Sequence, residues 1–335
     1  MPKEEPYWWE DAGAPEAPPE APLPAEADAV VIGAGLTGLS AARTLARAGR
    51  SVVVLEAAAP GIGASSRTGG LIGGGHRLSP AETEARFGPE VAGRLLREAH
   101  LESYAFCRRL MDEEAIACDF RETGRFRGFW RAGEYEAEAH TLERLQRTIP
   151  IEAEMVPEAR QREQVASDLY RGGVVYHRHG GLNPAKWLRG LLAAAGRAGA
   201  LVQGHSPVTA VTRQEGRPGH TVTTPRGDIR AGHVLAATNG YSGSLFPELR
   251  RRIVPVPSFI VTTEPLGQNR VRDLFPSGRM IVESRLRHCY YRPSPDGTRI
   301  VFGGRAAMTE LPDRFTTAEL GRLLAEVFPD LGPVA

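Results

Sequence analysis

Val30-Val31-Ile32-Gly33-Ala34-Gly35-Leu36-Thr37-Gly38-Leu39 is the stretch of sequence that decides the fold. Its first residues continue Ala29 into a short apolar run, which is typical of a parallel strand buried on both faces. Apolar residues then recur at helical spacing until Gly49, which supplies a helix stop. A second apolar run covers Val52 to Leu55. The sequence therefore predicts a β-α-β unit.

The three glycines of this unit fit a turn that binds a dinucleotide. Gly33 permits the tight turn after the strand, Gly35 lets the backbone approach a pyrophosphate, and Gly38 lets the helix pack closely on the strand. The phosphates would lie at the helix N-terminus, where free N–H groups and the helix dipole favour anions. We therefore expect Leu36 and Thr37, in the first turn, to contact the cofactor together with the glycines.

Glu56 and the loop after it distinguish between two kinds of cofactor. Glu56 ends the second strand at the distance where an acid binds ribose hydroxyls. A nicotinamide-binding domain would continue into another crossover helix and strand, but a Gly/Ser loop occupies Gly61 to Leu71. Small residues, hydroxyls and an arginine suit a flavin, and the loop residues expected to contact it are Ser65, Ser66, Arg67, Gly69, Gly70 and Leu71. We predict FAD, with a nicotinamide cofactor or a plain surface loop as alternatives.

Composition narrows the class of protein. The 335 residues carry a net charge of +1, so no basic excess indicates a nucleic-acid partner. No apolar run is long enough to span a bilayer, and the N-terminus lacks the order of a secretion signal. The three cysteines have no disulfide or zinc spacing and fit a reducing compartment. We expect a cytoplasmic protein without a metal, and the sequence leaves its oligomeric state open.

Basic residues are distributed unevenly between the two types. Lys3 and Lys186 are the only lysines among 41 basic residues, which we interpret as codon bias of a GC-rich, bacterial genome. A lysine is therefore a poor choice for a catalytic base in this chain.

The N-terminal region divides into a tip and a linker. Glu10 to Ala27 is a Pro/Ala/Glu segment, which is expected to be extended because it cannot bury enough apolar surface. Ahead of it lies Tyr7-Trp8-Trp9, either docked on the protein or a disordered tip. Further along, the sequence from about Phe87 to Gln164 is charged and reads as helical, with few strand signals.

The remaining elements follow from caps, apolar runs and turns. A helix is predicted to begin at Asn183-Pro184, a cap residue followed by proline at the first helical position. Turn residues lie at 225–228, and Asp296-Gly297 predicts a hairpin. The predicted strands are Val208 to Val211, Thr221 to Thr224, Val234 to Ala237, Phe259 to Thr263, Met280 to Glu283, Cys289 to Arg292 and Ile300 to Phe302. A final helix is predicted for Thr317 to Val327.

Several motifs in order carry a family resemblance. They are GASSRTGG (63–70), GGLNPAKWLRGL (180–191), AATNGYS (236–242), IVPVPSFIVTTEPL (253–266), CYYRPSPDG (289–297) and FGGR (302–305). The chain resembles the D-amino-acid-oxidase-like (DAO) superfamily of FAD-dependent oxidoreductases, most closely the gamma-glutamylputrescine oxidase type. The resemblance runs from Tyr7 nearly to the C-terminus and is more specific for the family than for the substrate.

The resemblance also implies roles for residues outside the first turn. It implies that the Val208 backbone contacts the adenine, and that the strand ending in Thr238-Asn239-Gly240 passes under the cofactor. It places the strand Cys289 to Arg292 in an antiparallel sheet over the reactive face of the flavin.

Three residues of that last strand are candidate catalytic residues, namely Tyr290, Tyr291 and Arg292. Alternation puts Cys289 and Tyr291 on one face, with His288, Tyr290 and Arg292 on the other. One face is expected to meet the substrate, and the alternative for each residue is sheet packing. The sequence favours a surface or supporting position for His76, His177 and His179.

The expected fold is α/β, with a GxGxxG FAD-binding domain interleaved with an antiparallel-sheet substrate domain. The predicted boundaries are 1–26 for the tail and linker, 27–85 and 181–247 for the FAD domain, and 86–180 and 248–316 for the substrate domain. Residues 317–335 would form a helix leading to a C-terminal segment that relatives of the family have and that we expect this chain to lack.

The resemblance implies a reaction class. It implies oxidation of a primary or secondary amine, either a polyamine derivative or an amino acid, by hydride transfer to flavin N5 (EC 1.4 or 1.5 type). The products would be an imine, then an aldehyde or keto acid, with hydrogen peroxide if oxygen is the acceptor; another acceptor stays open. The alternatives are a non-catalytic or truncated flavin-binding fragment and an NAD(P)-dependent dehydrogenase.

Overall fold

The computed structural model describes residues 3–214, 216, 218–286, 288–309 and 311–331. Its strands form a six-stranded sheet, a seven-stranded sheet and a two-stranded ribbon. The strands are β1 (Glu26–Ile32), β2 (Val52–Leu55), β3 (Leu71–Ile72), β4 (Arg125–Gly128), β5 (Ala153–Val156), β6 (Gly173–Tyr176), β7 (Gly180–Gly181), β8 (Leu201–Gln203), β9 (Ala210–Arg213), β10 (His220–Thr224), β11 (Gly227–Ala236), β12 (Phe259–Thr262), β13 (Met280–Glu283), β14 (Tyr290–Pro293) and β15 (Ile300–Gly304).

Helices connect and cover these sheets. They are α1 (Trp9–Ala12), α2 (Leu36–Arg47), α3 (Pro80–Phe87), α4 (Pro89–Arg97), α5 (Ser103–Glu113), α6 (Ala132–Thr148), α7 (Pro184–Arg197), α8 (Pro247–Arg250), α9 (Gln268–Leu274) and α10 (Asp313–Val327). Among the described helices, none combines the length and the apolar composition that crossing a bilayer requires.

The six-stranded sheet has the order β8-β2-β1-β11-β10-β9. β1 lies near its centre and pairs in parallel with β2 on one side and β11 on the other. β2 is buried at every position, as expected for a parallel strand covered on both faces. α2 and α7 pack on one face through an apolar cluster that includes Leu39, Leu188 and Leu191. The predicted β-α-β unit is confirmed.

The seven-stranded sheet has the order β12-β15-β14-β13-β4-β6-β5. Neighbouring strands in this sheet are antiparallel except β4 and β13, which pair in parallel. The sheet predicted to be antiparallel is therefore a mixed sheet with one parallel pair. One face is buried against α9 and α10 in a cluster that contains Phe126, Tyr291 and Phe302. An α/β fold with two distinct sheets is confirmed, whereas the predicted domain boundaries stay predictions.

The predicted elements differ from the structure in one region and at several element boundaries. The region from Phe87 to Gln164 contains β4 and β5, although the charged sequence reads as helical. At the other end, the final helix begins earlier than predicted, at Asp313. The strand expected from Val208 begins at Ala210, and the strand expected from Cys289 begins at Tyr290. The cap at Asn183 is confirmed, since its side chain accepts a hydrogen bond from Ala185 N at 3.0 Å.

The N-terminal segment is docked on the protein and is not a disordered tip. Trp8 is only 2% exposed and lies in an apolar cluster with Ala12, Ala185 and Val301. The chain from Gly13 to the start of β1 has no regular structure, in line with the predicted extended linker.

Candidate active site

The turn between β1 and α2 has the geometry that a pyrophosphate requires. Gly33 has φ 104°, in the left-handed region that favours glycine. A Cβ added at Gly38 would lie 2.0 Å from the Gly33 carbonyl oxygen, so only glycine fits there. Gly35 caps the helix without a side-chain hydrogen bond, and the first turn contains no acidic residue. The helix N-terminus therefore remains available to an anion.

The loop at 63–70 folds back onto this turn. Residues Ala64–Ser66 form a short 3-10 helix. Ser65 Oγ accepts a hydrogen bond from Leu36 N at 3.2 Å and would lie 2.9 Å from a Cβ on Gly35. Ser66 is buried and donates to Gly61 O at 2.7 Å, whereas Arg67 is exposed. The two glycine-rich segments predicted from the sequence therefore lie against each other.

Glu56 lies beside the turn, as its predicted ribose-binding role requires. Its carboxylate accepts hydrogen bonds from Ala34 N at 2.9 Å and Ala58 N at 3.1 Å. Its backbone bonds to Gln203 and Ser206 hold the segment after β8 alongside β2. Val208 lies two residues further on, partly buried against the sheet. Glu56 and Val208 thus belong to one side of the nucleotide site.

The end of β11 closes the other side of the turn. A Cβ on Gly33 would lie 2.7 Å from Ala237 O and 3.6 Å from Thr238 N. Asn239 has φ 44°, and Thr238 Oγ1 lies 2.9 Å from Ser242 Oγ. Gly240 follows within the short 3-10 helix Asn239–Tyr241. The segment predicted to pass under the cofactor therefore begins in contact with the glycine turn.

β14 separates its side chains between two environments. The Tyr290 ring lies against Gly69 and Gly303, where an added Cβ would approach Cε2 to 2.6 Å and 2.4 Å. Arg292 is 5% exposed, and its Nη1 donates to Gly70 O at 3.0 Å and Leu182 O at 3.1 Å. Tyr290 and Arg292 thus face the loop predicted to hold the flavin. Arg292 acts on the loop backbone and is a positioning residue.

Tyr291 lies on the opposite face, inside the core. It is fully buried, and its hydroxyl lies 2.5 Å from Tyr170 Oη, which donates to Glu283 Oε1 at 3.0 Å. Arg285 Nη2 donates to the same Glu283 oxygen at 2.8 Å. Tyr291 also stacks on Phe302 at 5.4 Å between ring centroids. Because the core surrounds its ring, we do not propose Tyr291 as a catalytic residue.

A polar cluster that the sequence did not reveal lies beyond the flavin loop. His179, 2% exposed, stacks on Tyr176 at 5.3 Å, and its Nε2 accepts from Gly74 N at 3.1 Å. Of the two positions that the sequence favours for His179, burial excludes the surface position, whereas a supporting role stays a prediction. His100 lies in a π-helical stretch, Glu98–Glu102, a rare conformation often found at functional sites. Arg125 Cζ lies 5.2 Å from the Tyr176 ring centroid.

The electrostatics of this polar cluster keep its histidines neutral. Burial, together with the charge of Arg125, lowers the pKa of His179 to about 3 and that of His100 to about 4. Arg125 Nε and Nδ1 of both histidines are buried without a hydrogen-bond partner in the part of the chain that the structure describes. Such atoms are available to a ligand or to water.

The residues of the site fit FAD. At the N-terminus of α2, where the pyrophosphate would lie, the Ser65 hydroxyl accepts from Leu36 N and no acidic side chain lies in the first turn, while Glu56 lies beside it for the ribose. Gly69 packs directly against the Tyr290 ring and Gly70 against Leu182 O and Arg292, so the loop lies as close to β14 and α7 as glycines alone allow. Within the described residues, no group of three or more His, Cys, Asp or Glu side chains could hold a metal ion.

Fold and site together define a flavoprotein with a dinucleotide-binding sheet. A family model described as DAO, FAD dependent oxidoreductase, matches residues 28–335. The chain belongs to this family, and its cofactor is FAD. The alternative of an NAD(P)-dependent dehydrogenase is therefore wrong.

The chain is similar to named members of the family. It is 32% identical to the probable oxidoreductase OrdL of Rhizobium meliloti (strain 1021), over 98% of this chain and 76% of that protein. It is 31% identical to the gamma-glutamylputrescine oxidoreductase of Escherichia coli (strain K12), over 91% of this chain and 70% of that protein. The predicted resemblance is confirmed.

Solved structures share the fold. The crystal structure of L-proline dehydrogenase from P. horikoshii has a TM-score of 0.70 at 20% identity, covering 92% of this chain and 79% of that chain. Glycine oxidase from Geobacillus kaustophilus has a TM-score of 0.67 at 18% identity, covering 93% and 80%.

Proposed function

We propose that the chain oxidises a primary or secondary amine, a polyamine derivative or an amino acid, to an imine that hydrolyses to an aldehyde or keto acid. Bound FAD would supply the acceptor for the hydride of the carbon next to the substrate nitrogen, and oxygen or another acceptor would reoxidise it. The observation that carries the proposal is the similarity to gamma-glutamylputrescine oxidoreductase along most of the chain. This corresponds to an enzyme of the EC 1.4 or 1.5 type.

The face of the seven-stranded sheet opposite α10 supports a substrate site beside the flavin. Tyr290 is the ladder partner of Val282, and Val282 is the partner of Arg127 on the next strand. Directly opposite residues project to the same face, so these three side chains form one row. Neighbouring strands are about 5 Å apart, which puts Arg127 about 10 Å from Tyr290. A substrate that lies along this row would touch both.

The charges on this face favour the reactive form of an amine. A nitrogen must be neutral for hydride to leave the neighbouring carbon, and a nearby cation disfavours an ammonium group. Arg125 and Arg127 alternate on β4 and therefore share this face. Arg127 donates to Glu138 at 3.2 Å, whereas Arg125 Nε has no partner in the described part of the chain. We assign these arginines to substrate orientation, and Tyr290 to contact with the reacting end.

Anaerobic reduction of the FAD-loaded protein tests the proposal. The visible absorbance of the flavin should be bleached by an amine from a panel of polyamine derivatives, glycine, proline and N-methylated amino acids. Alcohols and 2-hydroxy acids serve as controls, and bleaching by these alone would contradict amine oxidation. If FAD binds tightly and no member of the panel bleaches it, the non-catalytic alternative is favoured instead. Peroxide formed on admitting oxygen would identify the acceptor.

A further inference from the structure

The N-terminal segment contacts the flavin loop directly. Trp8 Nε1 donates a hydrogen bond to Thr68 O at 2.7 Å, and Trp9 Nε1 donates to Ser66 Oγ at 3.1 Å. The Arg67 guanidinium lies over the Trp9 ring, with Cζ 4.7 Å from the ring centroid. Consecutive loop residues are therefore held by two neighbouring indoles.

The same loop is also held by Arg292. Its guanidinium donates to Gly70 O, and its Cζ lies 5.7 Å from the centroid of the Trp8 ring. Trp8 is thus placed between the loop, β14 and the start of α7. Because Gly69 and Gly70 give the loop little intrinsic stiffness, its conformation depends on these outside contacts.

Contacts with α7 fix the segment in this position. Lys186 forms ion pairs with Asp11 and, at 2.9 Å, with Asp119, so one of the two lysines of the chain serves as an anchor. Arg189 Nη1 donates to Ala12 O, and Asn183 Nδ2 lies 3.4 Å from Trp8 O. These contacts touch the N-terminal segment and not the flavin loop.

The extended residues that follow reach the other end of the cofactor site. Ala21 N donates to Gln203 Oε1 at 2.8 Å, and Arg226 Nη2 donates to Ala21 O at 2.6 Å. Arg226 also pairs with Glu20 at 3.1 Å. Gln203 O in turn accepts the hydrogen bond of Glu56 N. Residues 7–21 therefore run from the flavin loop to the residues around the ribose-binding carboxylate.

We propose that residues 7–21, here called the N-terminal strap, are part of the cofactor site and set how slowly FAD dissociates. The strap holds loop 65–70 in the conformation that encloses the flavin, so FAD can leave only after the loop has been released from Trp8 and Trp9. A loop fixed before binding also avoids the entropy of ordering it. The proposal concerns retention of FAD and holds for any substrate.

Substitutions of the two tryptophans test the strap in the whole 335-residue chain. Trp8→Phe and Trp9→Phe keep an aromatic ring but remove the indole N–H that binds the loop. Each lost hydrogen bond of about 1 kcal/mol corresponds to a several-fold change, so the double variant should release FAD at least about 10-fold faster. The release rate is measured from the rise of flavin fluorescence after dilution of the loaded protein. Trp130→Phe, which removes a distant indole, is the matched control.

A second variant distinguishes an effect of the strap on FAD release from a general loss of stability. Asp11→Asn breaks the ion pair between the strap and Lys186 without touching the loop or the pair between Lys186 and Asp119, so faster FAD release in this variant acts through the strap. The free energy of unfolding of each apoprotein is measured in urea alongside. Unchanged FAD release in the double tryptophan variant would overturn the proposal. So would faster release that matches an equal loss of apoprotein stability, because the effect would then be general.

Discussion

The ring of Tyr290 covers Gly69 so closely that a Cβ added there would lie 2.6 Å from Cε2 of Tyr290 and 2.9 Å from Cδ1 of Leu71. The strand that we propose to face the substrate and the loop predicted to hold the flavin are therefore in direct contact. A change in one is transmitted to the other without an intermediate residue.

Gly69→Ala should lower the affinity for FAD about 10-fold. The added methyl must displace either the Tyr290 ring or the loop, at a cost of about 1–3 kcal/mol. Titration of the apoprotein with FAD measures the effect. Gly75→Ala is the control, because an added Cβ there has no atom within 4 Å. Equal affinities of the two variants would contradict the contact.

Gly38→Ala should destabilise the fold itself, because its Cβ would meet the Gly33 carbonyl oxygen at 2.0 Å. Backbone atoms cannot move aside cheaply, so we expect a loss of about 3 kcal/mol in unfolding free energy. Gly196→Ala, in the last turn of α7 with nothing within 4 Å of the added Cβ, should instead stabilise by about 0.5 kcal/mol. Urea unfolding of both apoproteins makes the comparison, and two variants of equal stability would contradict it.

Gly35→Val should abolish FAD binding by filling the approach of the pyrophosphate and displacing Ser65, which lies 2.9 Å from the added Cβ. Glu56→Gln should weaken binding only a few-fold, since the amide keeps one acceptor for Ala34 N or the ribose. Flavin content after gel filtration distinguishes the two. A Gly35→Val protein that retains one FAD per chain would show that the turn is misassigned.

Tyr290→Phe and Tyr291→Phe should have opposite effects. Tyr291→Phe removes a buried hydroxyl that contacts Tyr170, so it should cost about 1 kcal/mol of stability and leave anaerobic flavin reduction unchanged. Tyr290→Phe removes a hydroxyl on the face of the flavin loop and should slow flavin reduction with little change in stability. Slower reduction in Tyr291→Phe alone would reverse our assignment of the two faces.

The neutral histidines predict how stability depends on pH. Between about pH 6.5 and pH 4, the unfolded chain takes up protons on His100 and His179 while the folded chain does not. The free energy of unfolding therefore falls as the pH falls, by about 1.4 kcal/mol per pH unit for each ring. His179→Gln should remove one such contribution from the slope measured by urea unfolding. His140→Gln, on the exposed face of α6, is the control; identical slopes would contradict the prediction.

Local patterns in the sequence were sufficient to predict the nucleotide-binding unit. The spacing of Gly33 and Gly38 is itself a geometric requirement, because a Cβ on Gly38 would meet the Gly33 carbonyl oxygen five residues earlier. Asn183 and Pro184 likewise begin α7 through interactions inside its first turn. Such features depend little on what packs around them.

The substrate side depended on distant partners and was predicted less well. The alternation along the strand put Tyr290 and Tyr291 on opposite faces. Which of these faces could meet the flavin depends on α10, because this helix buries Tyr291. The alternation of Arg125, Phe126 and Arg127 indicates a strand, yet the charged surroundings concealed it. Its partners β13 and β6 lie far along the chain, so no short window of sequence contains the pairing.

The position of β1 has a consequence for synthesis of the chain. β1 is made early, but its partner β11 ends at Ala236, about two hundred residues later. Closing such a long loop is slow, and an unpaired central strand attracts other chains. The nucleotide-binding sheet can be completed only after Ala236 has left the ribosome. Until then the edge of β1 that pairs with β11 has no partner strand, and the nascent chain is more prone to associate with other chains over this interval.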